Sequence, residues 1–348
     1  MIIHFYILAL IGLFTILFLS TGSQNKKLPA ISKHWTFSLL IYVILIIAFS
    51  PTDLWSDKYA YLRQFNSITY SDLLDFKDIG WGYYNYLVKI ITGSSVAFFL
   101  ITAIVYLLGY YIFAKKFISA QYHFIFLYAC IMSMSFFAYG INTIRAGFAL
   151  SLFLIGITKH KNKLVFLLWG LAAVSMHKSI ILPFLAFILT GFYDKPIVFF
   201  RFWCIALILS FINVSFIYEF FQSNLGSFDE RSSYLDINAE THYKTGFRVD
   251  FILYSFVPIV FGLYYILKLK IKDIIYSRLF SSYLIVNAIW LLVIRMNFTD
   301  RFAYLSWFLI PFIILYPLIT YRLALNQRKL VGIVLLGMIS FTLLMNFI

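Results

Sequence analysis

The stretch Asn142–Lys178 reads NTIRAGFALSLFLIGITKHKNKLVFLLWGLAAVSMHK. Two apolar runs, about 144–158 and 164–176, flank a basic turn from Lys159 to Lys163. Arg145 opens the first run, and His177 and Lys178 close the second. Each run lies at or below the length of about 17–25 apolar residues that crosses a bilayer core. Tilted helices, or half-helices lining a cavity, are therefore alternatives to full spans. If both runs cross, Arg145 and His177 return to one membrane face, and that face is where chemistry is expected.

The rest of the chain follows the same pattern. Hydrophobic residues make up 62% of the 348 and charged residues 12%, against about 25% charged in soluble domains. A mean hydropathy of +0.89 does not fit inside one soluble core. The reading is an all-α polytopic membrane protein, a single integral-membrane domain over 1–348. About twelve transmembrane helices are expected, at 2–20, 35–50, 95–114, 122–140, 144–158, 164–176, 178–192, 197–220, 249–267, 279–295, 302–320 and 330–347. The first run has no basic leader and no small-residue cleavage site, so it reads as a retained span and not a signal peptide. Cys130 and Cys204 lie in apolar runs without metal-site spacing and read as buried free thiols.

The net charge of +14 is a matter of topology. Alternate connections carry 17 Lys and Arg with only Asp194 and Asp273, and the remaining connections carry 11 basic and 12 acidic residues. The basic side is expected to be cytoplasmic, where it also meets anionic membrane lipid, and no nucleic acid is needed to explain it. Arg145 and His177 then face the extracytoplasmic side. Two long extracytoplasmic loops are expected there, about 51–94 and 221–248. In the first, Tyr84, Leu87, Val88 and Ile91 recur at helical spacing, which predicts a helix at the outer interface. The second has no apolar run that folds alone and reads as a lid or substrate-contacting loop.

Ionisable groups near hydrocarbon usually pair or work. Arg145, Arg295 and Arg301 suit a lipid-linked diphosphate, because a guanidinium offers a planar fork of donors. The bland alternatives are ion pairing, as between Asp300 and Arg301, or snorkelling to head groups. No acid lies close to Arg145 in sequence. His177 suits removal of a proton from a sugar hydroxyl, or is simply a polar helix cap. Asp57, four residues before Tyr61, is a candidate base or acceptor-binding position, or part of a solvated loop; Asp53 and His242 are weaker candidates. Trp55, Tyr59, Tyr61 and Trp81 suit sugar stacking or an interfacial aromatic belt. No phosphate-binding glycine loop, GxSxG, HExxH or CxxC is present. No Asp-x-Asp pair signals a metal-bound sugar nucleotide, so no metal or cofactor is expected. The short basic cytoplasmic loops leave no room for a nucleotide-binding domain.

At these residues the chain resembles the EpsG family of integral-membrane polysaccharide polymerases, a branch of the Wzy-like O-antigen and exopolysaccharide polymerases. The carriers are Asp57-x-x-x-Tyr61, Asp78-Ile-Gly-Trp-Gly82, Arg145-Ala-Gly-Phe-Ala-Leu and Ser175-Met-His177-Lys178-Ser179. Ala146 stands where the family usually has Gln, and Asp78 stands near a usual Glu. The resemblance covers about 50–190. It implies a GT-C-like helical fold in the bacterial inner membrane and glycosyl transfer at the outer face. The donor would be a growing glycan on undecaprenyl diphosphate and the acceptor a single lipid-linked repeat unit. His177 and Asp57 would be catalytic. Arg145, Arg295 and Arg301 would hold the diphosphate, and Tyr61, Asp78 and Trp81 would contact the acceptor. A chain-length regulator would be a partner. Other readings are an O-antigen ligase, a flippase for lipid-linked oligosaccharide, or a membrane acyltransferase. A flippase is expected to show repeat symmetry and mid-membrane polar groups, and neither is evident in the sequence.

Overall fold

The computed structural model describes residues 2–20, 31–52, 57–212 and 246–347. The helices in chain order are α1 (Ile2–Ser20), α2 (Lys33–Ala48), α3 (Asp57–Ser67), α4 (Ile79–Thr92), α5 (Ser95–Phe117), α6 (His123–Ile131) and α7 (Met134–Phe137). A π-helical turn, Ala138–Asn142, leads to α8 (Ile144–Thr158), α9 (Lys163–Met176), α10 (Ile181–Phe192) and α11 (Pro196–Ile212). Then come α12 (Val249–Leu263), α13 (Ile274–Leu292), α14 (Thr299–Trp307), α15 (Ile310–Thr320) and α16 (Gln327–Phe347). No strand occurs among the described residues.

An apolar helical segment lies in each of the twelve stretches expected to be spans, and residues 213–220 of the eighth lie outside the described residues. Among the described residues only six helices are long and apolar enough to cross a membrane, or seven if a bent pair counts as one. That pair, Ala120–Ile131 and Met134–Asn142, bends by 72°. Five more apolar helices, α2 and α8 to α11 among them, are 10–17 residues long. The chain is a polytopic helical membrane protein. The loop at 221–248 lies largely outside the described residues, as do Asp53, Trp55 and His242. Cys130 is buried, Cys204 is half-buried, and both are free.

The contacts group the chain into two compact units, Met1–Ile181 with Leu315–Ile348, and Leu182–Ile314. In the first, α5 packs along α8, α8 along α9, and α1 along α16. At the α5–α8 crossing, a Cβ on Gly109 would lie 2.6 Å from the Ser151 backbone, and Ser151 Oγ donates to Val105 O at 2.5 Å. Small residues let helix backbones approach where lipid supplies no hydrophobic drive. Helix α1 turns Ile3, Tyr6, Leu10, Phe14 and Leu17 outward, a lipid-facing stripe at helical spacing.

Lys58 anchors α3. It is fully buried, and its Nζ donates to Ile47 O, Ala48 O, Ser50 O and Ser50 Oγ at 3.1, 2.9, 2.8 and 2.7 Å. Three of these acceptors are carbonyls at and just beyond the C-terminus of α2, where a cation also suits the helix dipole, and the fourth is the Ser50 hydroxyl, which itself donates to Ile47 O. Burial holds the Lys58 pKa down to about 8, so at neutral pH the group is still mostly an ammonium with three donors.

In the second unit one buried amide ties four helices. Asn287 Oδ1 accepts from Trp203 Nε1 at 2.8 Å, and its Nδ2 donates to Ser255 Oγ and Ser306 Oγ at 3.0 Å each. Trp307 Nε1 donates to the same Ser255 Oγ at 2.7 Å. Both the amide and Ser255 are fully buried, so losing one member strands the others.

Lys58→Met is expected to cost about 2 kcal/mol or more, because it removes the ammonium from the Ala48 and Ser50 carbonyls. A lowered midpoint for thermal unfolding of the detergent-solubilised protein would show it. An unchanged midpoint would mean water replaces the ammonium.

Candidate functional site

Asp78 is the N-cap residue of α4, a position where a carboxylate usually caps its own helix. Here it does not. It is 5% exposed, and its Oδ2 lies 2.8 Å from Arg145 Nη1 and 3.2 Å from His177 Nδ1. Its Oδ1 accepts from the Lys178 backbone N–H at 3.0 Å. One carboxylate thus joins the starts of α4 and α8 to the end of α9, all within the first unit.

Each partner is placed by its local fold. Arg145 is the second residue of α8, where the helix dipole disfavours a cation and Asp78 offsets that cost. Its Nε is buried and has no hydrogen-bond partner among the described residues. His177 ends α9 in extended backbone, φ −159° and ψ 115°, which turns its ring out of the helix toward Asp78. The glycine two residues after Asp78 permits the approach. A Cβ on Gly80 would meet the Ser175 hydroxyl and lie 3.0 Å from the Ser175 carbonyl carbon.

Behind the cluster lies an apolar core of Phe65, Trp81, Val88, Phe98, Phe99, Ile144 and Phe148, with Tyr61, Tyr84 and Met176 packed on it. Trp81, expected to contact sugar, is fully buried in this core. Its ring meets Tyr61, Tyr84, Phe98 and Phe148 at centroid distances of 5.7, 5.4, 5.8 and 6.0 Å. Its Nε1 donates to Gln64 Oε1 at 3.2 Å. No face is left for a sugar, and the indole packs α4 against α3, α5 and α8. Tyr61 is half-buried with its ring edge on Trp81. Asp57 is the first residue of α3, half-buried beside Lys58. The interfacial helix expected in this loop is α4, with Leu87 and Ile91 exposed and Val88 buried.

Arg295 and Arg301 belong to the second unit. The Arg295 guanidinium lies 5.0 Å from the Phe247 ring centroid and that of Arg301 lies 4.9 Å from Phe298. Arg295 Nε is buried without a hydrogen-bond partner among the described residues. Arg248 is neutralised by Asp250, Nε to Oδ1 at 2.9 Å, and stacks on Phe251 at 3.6 Å.

Burial raises the pKa of Asp78, but the His177 hydrogen bond, the charges of Arg145 and His177 and the Lys178 N–H together outweigh it. The carboxyl is held below its ordinary value. It is therefore ionised at neutral pH and can only accept. His177 Nδ1 then carries the hydrogen, and in the neutral imidazole Nε2 is the nitrogen with a lone pair. The cluster combines a base nitrogen with a fixed guanidinium, which suits proton removal beside an anion. No group of three or more His, Cys, Asp or Glu that could hold a metal occurs among the described residues.

A family model matches residues 33–348, and it is that of the EpsG family. The chain belongs to the EpsG family. The match takes in all of the Asp78, Arg145 and His177 cluster and leaves α1 outside it. No curated protein matches the chain with significance, and neither does any solved structure. EpsG membership implies a glycosyltransferase-like polymerase acting in polysaccharide synthesis.

Gly80→Ala is expected to push α4 off α9 and break the Asp78 contacts, giving loss of function while the chain still inserts in the membrane. Full function in that variant would contradict the packing. The folded pKa of Asp78 is lowered, so its stabilisation is full above the ordinary carboxylate value of about 4. It is lost as pH falls through the lowered value. The stability gap between wild type and Asp78→Asn should close on acidification in the same way, read by thermal unfolding at a series of pH values.

Proposed function

We propose that this EpsG protein is a polysaccharide polymerase acting at the extracytoplasmic face of the bacterial inner membrane. It transfers a growing glycan from a polyprenyl diphosphate, by family analogy undecaprenyl diphosphate, onto a lipid-linked repeat unit. The observation that carries the reading is the shared carboxylate of Asp78, with Arg145 and His177 on one oxygen. The bias of Lys and Arg to alternate connections supports the orientation. The twelve-span, GT-C-like arrangement is part of the same proposal.

In this reading the acceptor hydroxyl gives its proton to His177 Nε2 as its oxygen attacks the anomeric carbon. The bond to the diphosphate oxygen breaks, and the diphosphate leaves with the electron pair. That leaving group needs charge stabilisation more than a proton, and a preorganised guanidinium supplies it without reorganisation. Arg145 has that role, with no metal needed. Its partner Asp78 keeps the fork in place until an anion arrives. Asp57 and Tyr61 are proposed to contact the acceptor. Arg295 and Arg301 are proposed as anion contacts of the second unit, each tested by its own substitution. A chain-length regulator is a proposed partner.

The test is surface glycan length in a strain lacking its own polymerase, complemented with wild type or variants checked for membrane expression. Arg145→Ala and His177→Ala are expected to leave single repeat units, a loss of about 100-fold or more in rate. Arg145→Lys should fall well short of wild type, since it keeps the charge and loses the fork. Full-length chains from Arg145→Ala and His177→Ala would remove the site. Loss of all external repeat units, in place of single ones, would point to a flippase.

A further inference from the structure

Resting on the polymerase reading, the geometry points to Asp78 as a positioning residue that passes its charge from Arg145 to His177 when donor diphosphate binds. Donor binding thereby strengthens the base. The observation is the division of one carboxylate. Oδ1 is fixed by the Lys178 N–H, while Oδ2 serves Arg145 at 2.8 Å and His177 at 3.2 Å. The shorter contact belongs to the guanidinium, so without donor the carboxylate charge goes mainly to Arg145.

Among the described residues, the charged groups joined to His177 through one carboxylate oxygen are Asp78 from the start of α4 and Arg145 from the start of α8, and Lys178 is its neighbour in sequence. Without donor, Arg145 beside the imidazole opposes a second positive charge and weakens the base. A bound diphosphate brings negative charge to the guanidinium and competes with Oδ2 for its donors. The full carboxylate then acts on His177 Nδ1–H and stabilises the imidazolium that forms. The proton balance is that of the transfer step: hydroxyl hydrogen to Nε2, C–O bond formed to the acceptor, C–O bond to diphosphate broken. The proton passes to water afterwards. The consequence is an order, in which an acceptor alone meets a weak base and a donor complex meets a strong one.

Two measurements on the purified full chain in detergent test this. In the first, ¹⁵N-histidine NMR follows titration of His177, assigned by His177→Gln, with and without undecaprenyl diphosphate. The titration midpoint should rise by about one pH unit or more in wild type. In Asp78→Asn the rise should be clearly smaller, the remainder being the direct effect of the diphosphate. No rise in wild type, or an equal rise in both, overturns the hand-over. In the second, kcat is measured against pH with saturating lipid-linked donor and acceptor. Asp78→Asn should lower kcat about 100-fold or more and move the acidic limb to lower pH, because the imidazolium loses its counter-charge. The donor KM should change less than tenfold. Asp78→Glu should keep the limb near its wild-type position even at a reduced rate. A fall in kcat with an unmoved limb would make Asp78 merely structural and overturn the proposal. The titration needs no turnover, so it still reads the hand-over if wild type makes no polymer. That outcome would instead sink the polymerase reading.

Discussion

A single buried carboxylate ties together three helices of the first unit. Asp78 forgoes its own helix and takes up a guanidinium, an imidazole and a backbone N–H from elements far away in sequence. In a low-dielectric setting a buried charge is costly unless paired and hydrogen-bonded. That cost makes the three elements interdependent. Moving α4, α8 or the end of α9 alone would leave an uncompensated charge. The aromatic core around Trp81 and Phe98 gives the same elements their shape from below.

Basic side chains have a second structural use in this fold. Lys58 satisfies the end of α2, and Lys89 Nζ donates to Asn66 O and Ile68 O at 2.7 and 2.8 Å, at and just past the end of α3. Arg328 Nη2 donates to Phe18 O near the end of α1, and Arg278 Nη2 to Phe187 O within α10. Unpaired carbonyls at helix ends are intolerable in hydrocarbon, and cations there also suit the dipole. Arg328, which as sequence marks topology, therefore also finishes a helix, and Lys58 and Lys89 do so between α2 and α5, whereas Arg278 reaches a carbonyl inside α10. Arg145 differs from these, because it sits at a helix start and needs a carboxylate.

Much of the helical layout was legible. Apolar runs bounded by polar turns locate the segments because hydrocarbon thickness and backbone satisfaction leave few choices. The family was legible from four short motifs, and the return of Arg145 and His177 to one place followed from two apolar runs joined by a basic turn. The partner of Arg145 was not. Asp78 is distant in sequence, and nothing local distinguishes a carboxylate that binds a ligand from one that binds protein. Gly80 carried a usable signal, since a glycine at the mouth of a helix beside an acid marks close backbone approach. The burial of Trp81 was not legible, because an aromatic residue in a polar connection has the same composition signature whether it lines an interface or fills a core. The 72° bend was hidden because apolarity reports burial from water and not crossing depth, whereas the shortness of α8 to α10 was legible in the length of their apolar runs. The division into two units was equally invisible, since apolar runs of the two read alike.

The most direct test of the shared carboxylate is a double-mutant cycle on polymerisation rate, with Asp78→Asn, His177→Ala and both together. If Asp78 acts mainly through His177, Asp78→Asn slows the His177→Ala protein by much less than it slows wild type, the remainder being its hold on Arg145. If the two losses multiply, Asp78 and His177 work independently and the account of a single coupled site is wrong.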